Sequence, residues 1–250
     1  MSEHPVLEVE RLSLRTPAGP VFTELTFSVP RGGLTAVVGP SGSGRSALLL
    51  ALGGRMRGLT GSVRLGGRAA RSRPADLRAR TAVARLATLV EPEGRLTVGE
   101  SMTERALVDG VQDGDAAAAV ARAEGVFGTT LDRGLLVDDL TAYDRALLCV
   151  ALALVRPSDL VLLDDADRGL DVADQRRLLE ALGRLCATGQ TLVLSTTELA
   201  SLPPGAHVVH LRPTPPADPA PAGPAPADSA PAHPAPATPT PDPTSAEKTS

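Results

Sequence analysis

The chain has 250 residues, 42% of them hydrophobic, which is enough to bury one sizeable core and a smaller subdomain. Its formal net charge of −4 gives no overall bias toward nucleic acid or an anionic membrane. Because only 2% of the residues are aromatic, stacking platforms for bases are not expected either. We therefore expect no nucleic-acid partner.

Neither the amino terminus nor the apolar runs suggest insertion into a membrane. The first residues lack the positive and apolar regions of a secretion signal. The longest apolar runs, at 47–52 and 146–155, are well short of the ~20 residues that span a bilayer. The two cysteines, Cys149 and Cys186, have no partners at metal-ligand spacing, which favours ordinary thiols in a reducing cytosol over a redox pair. We expect a cytoplasmic protein.

In chain order, the first predicted elements are strands. Apolar and polar residues alternate over 6–14 and 21–29, as in two antiparallel, half-buried strands. The elements predicted after them are a strand at Leu34–Val38, a helix at 46–52, strands at 62–65 and 86–90, a helical region at 98–156, a buried strand at Leu160–Leu163, a helix at 173–187, and strands at 191–195 and 207–211. This alternation predicts an α/β fold with a mostly parallel central sheet that helices cover on both faces.

The composition changes sharply after Leu211. Residues 212–250 consist mainly of Pro, Ala, Thr and Asp and contain more than half of the 23 prolines. Such a segment cannot build a hydrogen-bonded ladder or an apolar core, so it predicts a disordered tail behind a domain at 1–211. A solubilising tail and a polyproline recognition segment are both open interpretations.

A glycine-rich segment between a predicted strand and a predicted helix is typical of a phosphate-binding loop. Its glycines allow backbone N–H groups to surround phosphate oxygens, and the helix amino terminus adds its dipole. A dinucleotide-binding loop is the alternative, but the next predicted strand ends without the acidic residue that would bind the ribose. The phosphate-loop prediction covers Gly39, Pro40, Ser41, Gly42, Ser43, Gly44, Arg45 and Ser46, with the Ser46 hydroxyl as a ligand of Mg²⁺.

Two carboxylates, Asp164 and Asp165, follow the apolar strand at Leu160–Leu163. The carboxyl end of a buried parallel strand lies at the ligand-binding edge of the sheet. Asp164 is therefore predicted to hold Mg²⁺, and Asp165 to face the water that attacks the phosphate. A pair of acids that merely ends a strand in solvent is the alternative, and the upstream phosphate loop argues against it.

The order of these motifs resembles that of the ABC ATPases over residues ~6 to ~211. The segment LTVGE at 96–100 is similar to the opening of that family's helical subdomain. The segment LTAYD at 140–144 is similar to its LSGGQ signature loop, and 169–171 to the D-loop that crosses its dimer interface. The resemblance implies a P-loop NTPase-like ABC cassette with a mostly parallel sheet, an antiparallel β subdomain and a helical subdomain at about 98–156.

The departures from the family pattern cluster where the chemistry would occur. Arg45 stands where the family has lysine, and a planar guanidinium replaces a compact ammonium. Asp165 stands where the family usually has glutamate as the base, and Thr197 where it has the switch histidine. Glu91 takes the place of the Q-loop glutamine, from which it could still bind Mg²⁺. Thr16 replaces the aromatic residue that stacks on adenine, a contact worth ~1–3 kcal/mol.

The signature loop at 140–144 also differs. In the family, two glycines offer bare backbone to the nucleotide on the opposite subunit, and here they are Ala142 and Tyr143, followed by Asp144. Thr141 keeps a hydroxyl donor for that nucleotide. A phenol and a carboxylate that face the γ-phosphate are expected to weaken closure of the dimer, through steric clash and like-charge repulsion.

The resemblance implies an ATP-binding transport subunit at the inner face of the cell membrane. It would bind ATP and Mg²⁺, pair with itself or another ABC cassette, and dock on a multi-span permease through the region 91–104. The departures favour weak hydrolysis. The alternative is sequence drift within a tolerant family, which would leave hydrolysis intact. A regulatory pseudo-ATPase is the alternative function. A soluble ABC protein of DNA repair or translation is disfavoured, because the chain has neither a coiled-coil insertion nor a second cassette.

Overall fold

A computed structural model describes residues 4–66, 73–86, 89–198 and 202–212. The predicted tail at 212–250 lies outside the described residues apart from Arg212. The elements are, in chain order, β1 (Leu7–Thr16), β2 (Gly19–Val29), β3 (Leu34–Val38), α1 (Arg45–Leu52), β4 (Leu59–Leu65), α2 (Pro74–Arg80), β5 (Thr81–Arg85), α3 (Val98–Asp109), α4 (Asp113–Phe127), α5 (Ala142–Ala153), β6 (Leu160–Leu163), α6 (Val172–Ala187), β7 (Leu192–Thr196) and β8 (His207–His210), with a short 3-10 helix at Val137–Asp139.

The amino-terminal strands form an antiparallel sheet in the order β2-β1-β4. Leu7 of β1 lies opposite Val29 on one side and Leu65 on the other. The sheet buries one face, since its alternate apolar residues belong to a core cluster shared with α1. The predicted pairing of the first two strands is confirmed.

The second sheet is parallel, with five strands in the order β5-β6-β7-β3-β8. Strands β3, β6 and β7 are buried along their whole length, as expected for strands that helices cover on both faces. One core cluster, with α1, lies on one face, and a second cluster, with α5 and α6, lies on the other. The predicted α/β fold is confirmed.

One predicted strand is wrong. Instead of a strand at 86–90, the structure has β5 at Thr81–Arg85, and Leu86 forms only an isolated bridge with Val90. The five residues of β5 are all buried, and four of them pair with β6. Contact with the central sheet therefore favours a strand in this earlier segment. Helix α2, which was not predicted, begins at a proline, a residue that the first turn of a helix tolerates well.

The predicted helical region at 98–156 contains α3, α4 and α5 with loops between them. Gly110 ends α3 and Gly128 ends α4, with φ of 68° and 73°. Glycine adopts this left-handed conformation without the strain that a Cβ would cause, which explains why these helices stop there. The segment between Gly128 and α5 is largely a loop that the sequence pattern alone did not separate from helix.

Both cysteines are buried free thiols in the second core cluster. Burial raises the pKa of the Cys149 thiol to about 12 and that of the Cys186 thiol to about 11. Because the thiolate is the reactive form, both side chains behave as core residues at neutral pH. Within the part of the chain that the structure describes, no helix combines the length and apolar character needed to cross a bilayer.

Candidate nucleotide-binding site

The predicted phosphate loop leaves the carboxyl end of β3 and enters α1 at Arg45. Two of its three glycines are sterically required. A Cβ on Gly39 would lie 2.5 Å from the carbonyl oxygen of Leu211, and a Cβ on Gly44, where φ is 90°, would lie 2.8 Å from a methyl group of Val21. The loop therefore packs backbone against its surroundings, in a conformation that presents N–H groups at the amino terminus of a helix.

Two polar atoms of this loop are buried without a hydrogen-bond partner among the described residues, the hydroxyl of Ser43 and Nε of Arg45. Buried polar groups are nearly always satisfied, so such donors suit a loop that receives an external acceptor. A phosphate oxygen is such an acceptor. The residues present therefore fit a phosphate group.

Arg45 folds back across the loop, with only 10% of its side chain exposed. One guanidinium nitrogen lies 2.8 Å from Oδ1 of Asp165, and another donates to the carbonyl of Gly39. The cation that the phosphate loop carries is thus already paired with the predicted catalytic base. Opposite charges at this distance neutralise each other in large part.

Asp164 is fully buried at the end of β6. The hydroxyl of Ser195 donates to its Oδ1, and the backbone N–H of Asp165 donates to the same hydroxyl at 2.8 Å. Asp165 has a left-handed backbone with φ of 44°. Ser195, at the end of β7, therefore links the two acids, although its only sequence signal is a hydroxyl that closes an apolar strand.

Thr197 contacts an acid downstream of the predicted catalytic pair. Its backbone N–H donates to Oδ2 of Asp167 at 2.7 Å, and its hydroxyl donates to the same oxygen. Burial alone would raise the pKa of Asp167, but these hydrogen bonds outweigh it and hold the pKa below its ordinary value. The hydroxyl at the predicted switch position therefore already donates a hydrogen bond to Asp167.

Arg85 was not predicted as a site residue. It ends β5 and is buried, with 3% of its surface exposed. Its Nε donates to the carbonyl of Asp164 at 3.1 Å, and a terminal nitrogen donates to the carbonyl of Asp165. A charged residue at the end of the apolar run TAVA is the signal that could have identified it. Arg85 thus holds the backbone of both acids.

Residues 22–168, more than half of the chain, match the protein family described as "ABC transporter". The chain belongs to this family. It is 32% identical to the cobalt import ATP-binding protein CbiO of Rhodobacter capsulatus, over 78% of this chain and 71% of that protein. It is 31% identical to an ABC transporter ATP-binding protein of Streptomyces avermitilis, where the match covers 82% of this chain but 36% of that relative's length.

A solved structure supports the same fold. The structure of CbiO1 from Clostridium perfringens, described as part of the ABC transporter complex CbiONQ, aligns with a TM-score of 0.69 at 19% identity. The alignment covers 85% of this chain and 88% of that chain. The predicted P-loop NTPase-like ABC cassette is confirmed.

Glu91, at the predicted Q-loop position, pairs with Arg168 at 3.3 Å. Arg168 directly precedes the predicted D-loop at 169–171. Glu91 therefore contacts that segment, whereas Asp165 is contacted by the side chain of Arg45. Of the three predicted metal ligands, Asp164 lies at the end of β6 and Ser46 in the first turn of α1, at the same edge of the parallel sheet. Their oxygen donors suit Mg²⁺, which typically takes one or two carboxylates together with substrate phosphates.

The segment predicted to be the signature loop, at 140–144, differs from expectation in one respect. Thr141 caps α5, because its hydroxyl accepts from the N–H of Asp144 at 3.0 Å and donates to the carboxylate of the same residue at 2.7 Å. Tyr143 is buried, and the guanidinium of Arg177 lies 4.4 Å from its ring centre. The expectation that this phenol faces a nucleotide is wrong, because the first turn of α5 places position 143 in the apolar core.

Proposed function

We propose that this cassette is the ATP-binding subunit of an ABC transporter, that it binds Mg-ATP at the phosphate loop, and that it hydrolyses ATP slowly. The ion pair between Arg45 and Asp165 is the observation that carries this proposal. It joins the cation needed for phosphate binding to the carboxylate that would act as base. A nucleotide must compete with Asp165 for Arg45, so we expect modest affinity.

Each residue of the site has a role in this proposal. The backbone of the loop and the Ser41 and Ser43 hydroxyls hold the phosphates, while Ser46 and Asp164 hold Mg²⁺, with Glu91 as a further ligand. When bound, Mg²⁺ neutralises charge on the phosphate oxygens. Ser195 supports Asp164 in this role, since its hydroxyl donates to the carboxylate.

Three features argue for slow turnover. The carboxylate of Asp165 is one methylene shorter than that of glutamate, and a misplacement of about 1 Å can reduce a rate about 10²-fold. The carboxylate also pairs with Arg45, so it is not free to orient an attacking water. Thr197 cannot carry a positive charge to the γ-phosphate, and its hydroxyl already contacts Asp167.

A cleft beside α3 supports docking on a separate membrane permease. It has a volume of about 230 Å³ and includes Val90 and Glu91 on one side and Ser101 and Glu104 on the other. Large apolar side chains at 89, 107 and 108 are each more than 70% exposed nearby in the chain. An exposed apolar patch with a polar rim is typical of a protein interface. We infer that it receives a permease segment at the cytoplasmic face of the membrane.

Nucleotide binding in this proposal involves two cassettes, either two copies of this chain or one copy and another cassette. Thr141 would then contact the nucleotide that is held by the partner. Gly169 supports a close arrangement of the two loops that would line this interface, because a Cβ there would lie 3.4 Å from Cβ of Ala142.

The second candidate function is a regulatory pseudo-ATPase of a membrane complex, in which ATP binding shifts a conformational equilibrium without a hydrolytic cycle. The same Arg45–Asp165 pair favours it. The two candidates share nucleotide binding and differ in turnover.

Titration calorimetry with Mg-ATP, ADP and GTP tests the shared step. We expect measurable but modest affinity for Mg-ATP, because the loop geometry is intact and its cation must exchange partners. Absence of heat with all three nucleotides would contradict both candidates. Phosphate release, measured with and without the permease, then separates a slow transport ATPase from a protein that only binds.

A further inference from the structure

A second charged cleft lies beside the candidate nucleotide site. It has a volume of about 260 Å³, and its lining residues come from β5, the Q-loop, the signature loop, α5 and the D-loop region. Three of them are arginines and one is a glutamate, which gives the lining a formal charge of +2. The lining residues are Arg85, Glu91, Leu140, Ala142, Arg145, Arg168 and Gly169.

Arg85 is the buried cation of this cleft. It is 97% buried, yet it donates to two backbone carbonyls, and among the described residues no carboxylate lies within ion-pair distance of it. A buried charge is costly unless an opposite charge compensates it. The positive charge of Arg85 in this cleft is therefore only partly compensated, by the dipoles of two carbonyl groups.

The other two arginines are held at the cleft by partners that leave much of each guanidinium unused. Arg145 donates to the carbonyl of Val137 at 2.8 Å and lies 3.4 Å from Asp138, whose side chain is mostly exposed. Arg168 pairs with Glu91 at 3.3 Å. A guanidinium carries five N–H donors, so these contacts use a minority of the donors available. Glu91 is the resident counter-ion of the cleft.

We propose that this cleft binds an oxyanion of the phosphate class. Planar guanidinium groups match the oxygens of phosphate bidentately, and three of them surround one space here. The ligand would compensate Arg85 and share Arg168 with Glu91. The cleft includes no residue of the phosphate loop, although it shares Glu91 with the proposed magnesium site.

The ligand proposed for this cleft is a free oxyanion, for which inorganic phosphate is the probe. The competing interpretation is a nucleotide carried by a second cassette, because Ala142 and Gly169 of the cleft belong to loops that we infer to face such a partner. Free phosphate would bind independently of protein concentration, whereas a nucleotide presented by a second copy would bind more strongly as that concentration rises.

Tyrosine fluorescence provides a local reporter for the test. Tyr143 is the only tyrosine of a chain that has no tryptophan, and it directly follows Ala142 of the cleft. We would titrate sodium phosphate into the full-length protein and compare it with sodium chloride at matched ionic strength. A saturable change with phosphate that chloride does not produce is expected.

Variants with opposite expected effects make the test specific. Arg168→Gln removes a cation and should weaken phosphate binding about tenfold, whereas Glu91→Gln removes the competing carboxylate and should tighten it about threefold. Arg73→Gln, a control at an exposed arginine just before α2, should change nothing. These measurements use no nucleotide, so their failure is separate from failure of the calorimetry above.

A parallel titration with Mg-ATP at low and high protein concentration tests the competing interpretation. The proposal is supported if phosphate gives a saturable response that is independent of protein concentration and that Arg168→Gln and Glu91→Gln shift in opposite directions. It is overturned if phosphate gives no saturable response, if only Mg-ATP responds and does so more strongly at the higher protein concentration, or if the two variants do not differ in direction.

Discussion

Asp165 contacts an arginine on each of two sides, and the balance of charge differs between the two sides. On the phosphate-loop side, its carboxylate pairs with Arg45, one cation for one anion. On the cleft side, its backbone carbonyl accepts from Arg85, and the cleft lining has three arginines and one glutamate. A ligand of the loop must therefore displace a resident carboxylate, whereas a ligand of the cleft meets an excess of positive charge. Arginine thus disfavours tight anion binding at the loop, where a carboxylate already pairs with it, and favours anion binding in the cleft, where positive charge is in excess.

Arg85 and Arg45 also differ in the part of the two acids that each of them holds. Arg85 fixes the backbone of both acids at the end of β6. Arg45 fixes a side chain of one of them, in a pair whose carboxylate is about one third exposed. We therefore expect changes on the cleft side to affect stability more, and changes on the loop side to affect nucleotide affinity more.

The largest expected effect on stability is that of Arg85→Met. The substitution removes the donors of two backbone carbonyls in the core, and each unsatisfied group costs ~1–3 kcal/mol. We expect the free energy of unfolding in urea to fall by about 2–4 kcal/mol. Arg145→Met is the matched control, with an expected loss below ~1 kcal/mol, because its acidic partner is mostly exposed. Equal or higher stability of Arg85→Met would mean that the uncompensated charge outweighs these hydrogen bonds.

A smaller effect is expected at the loop. Asp165→Asn removes the negative charge that competes for Arg45, so affinity for ADP, measured by calorimetry, should rise about threefold to tenfold. ADP avoids any effect of hydrolysis on the measurement. Asp138→Asn, which removes the carboxylate beside Arg145 of the cleft, should leave the affinity for ADP unchanged. If both variants bind ADP like the wild type, the Arg45–Asp165 pair does not limit nucleotide binding.

Much of this arrangement could be predicted from sequence because it depends on local patterns. The loop at 39–46 needs glycines between a strand and a helix, and the acids at 164 and 165 follow an apolar strand. Both patterns are contiguous, and the structure has the strand, loop and helix where they were predicted. The family resemblance, which rests on the order of such patterns, was equally accessible.

The contacts between distant strands could not be predicted in this way. Arg85 and Asp164 are 79 positions apart, and only the pairing of β5 with β6 brings them together. Since the strand was expected at 86–90, Arg85 fell outside the predicted sheet. The pairing of Arg45 with Asp165 depends likewise on the distance between a helix start and a strand end, which no periodicity encodes.

We propose above all that the cassette binds nucleotide but hydrolyses it slowly, because its charged groups neutralise one another. Steady-state phosphate release tests this most directly. The wild type would be compared with the variant Arg45→Lys, Asp165→Glu and Thr197→His, at saturating Mg-ATP for each. We expect the wild type to be at least about tenfold slower, as a misplaced base alone can produce. Equal rates for the two proteins would contradict the claim.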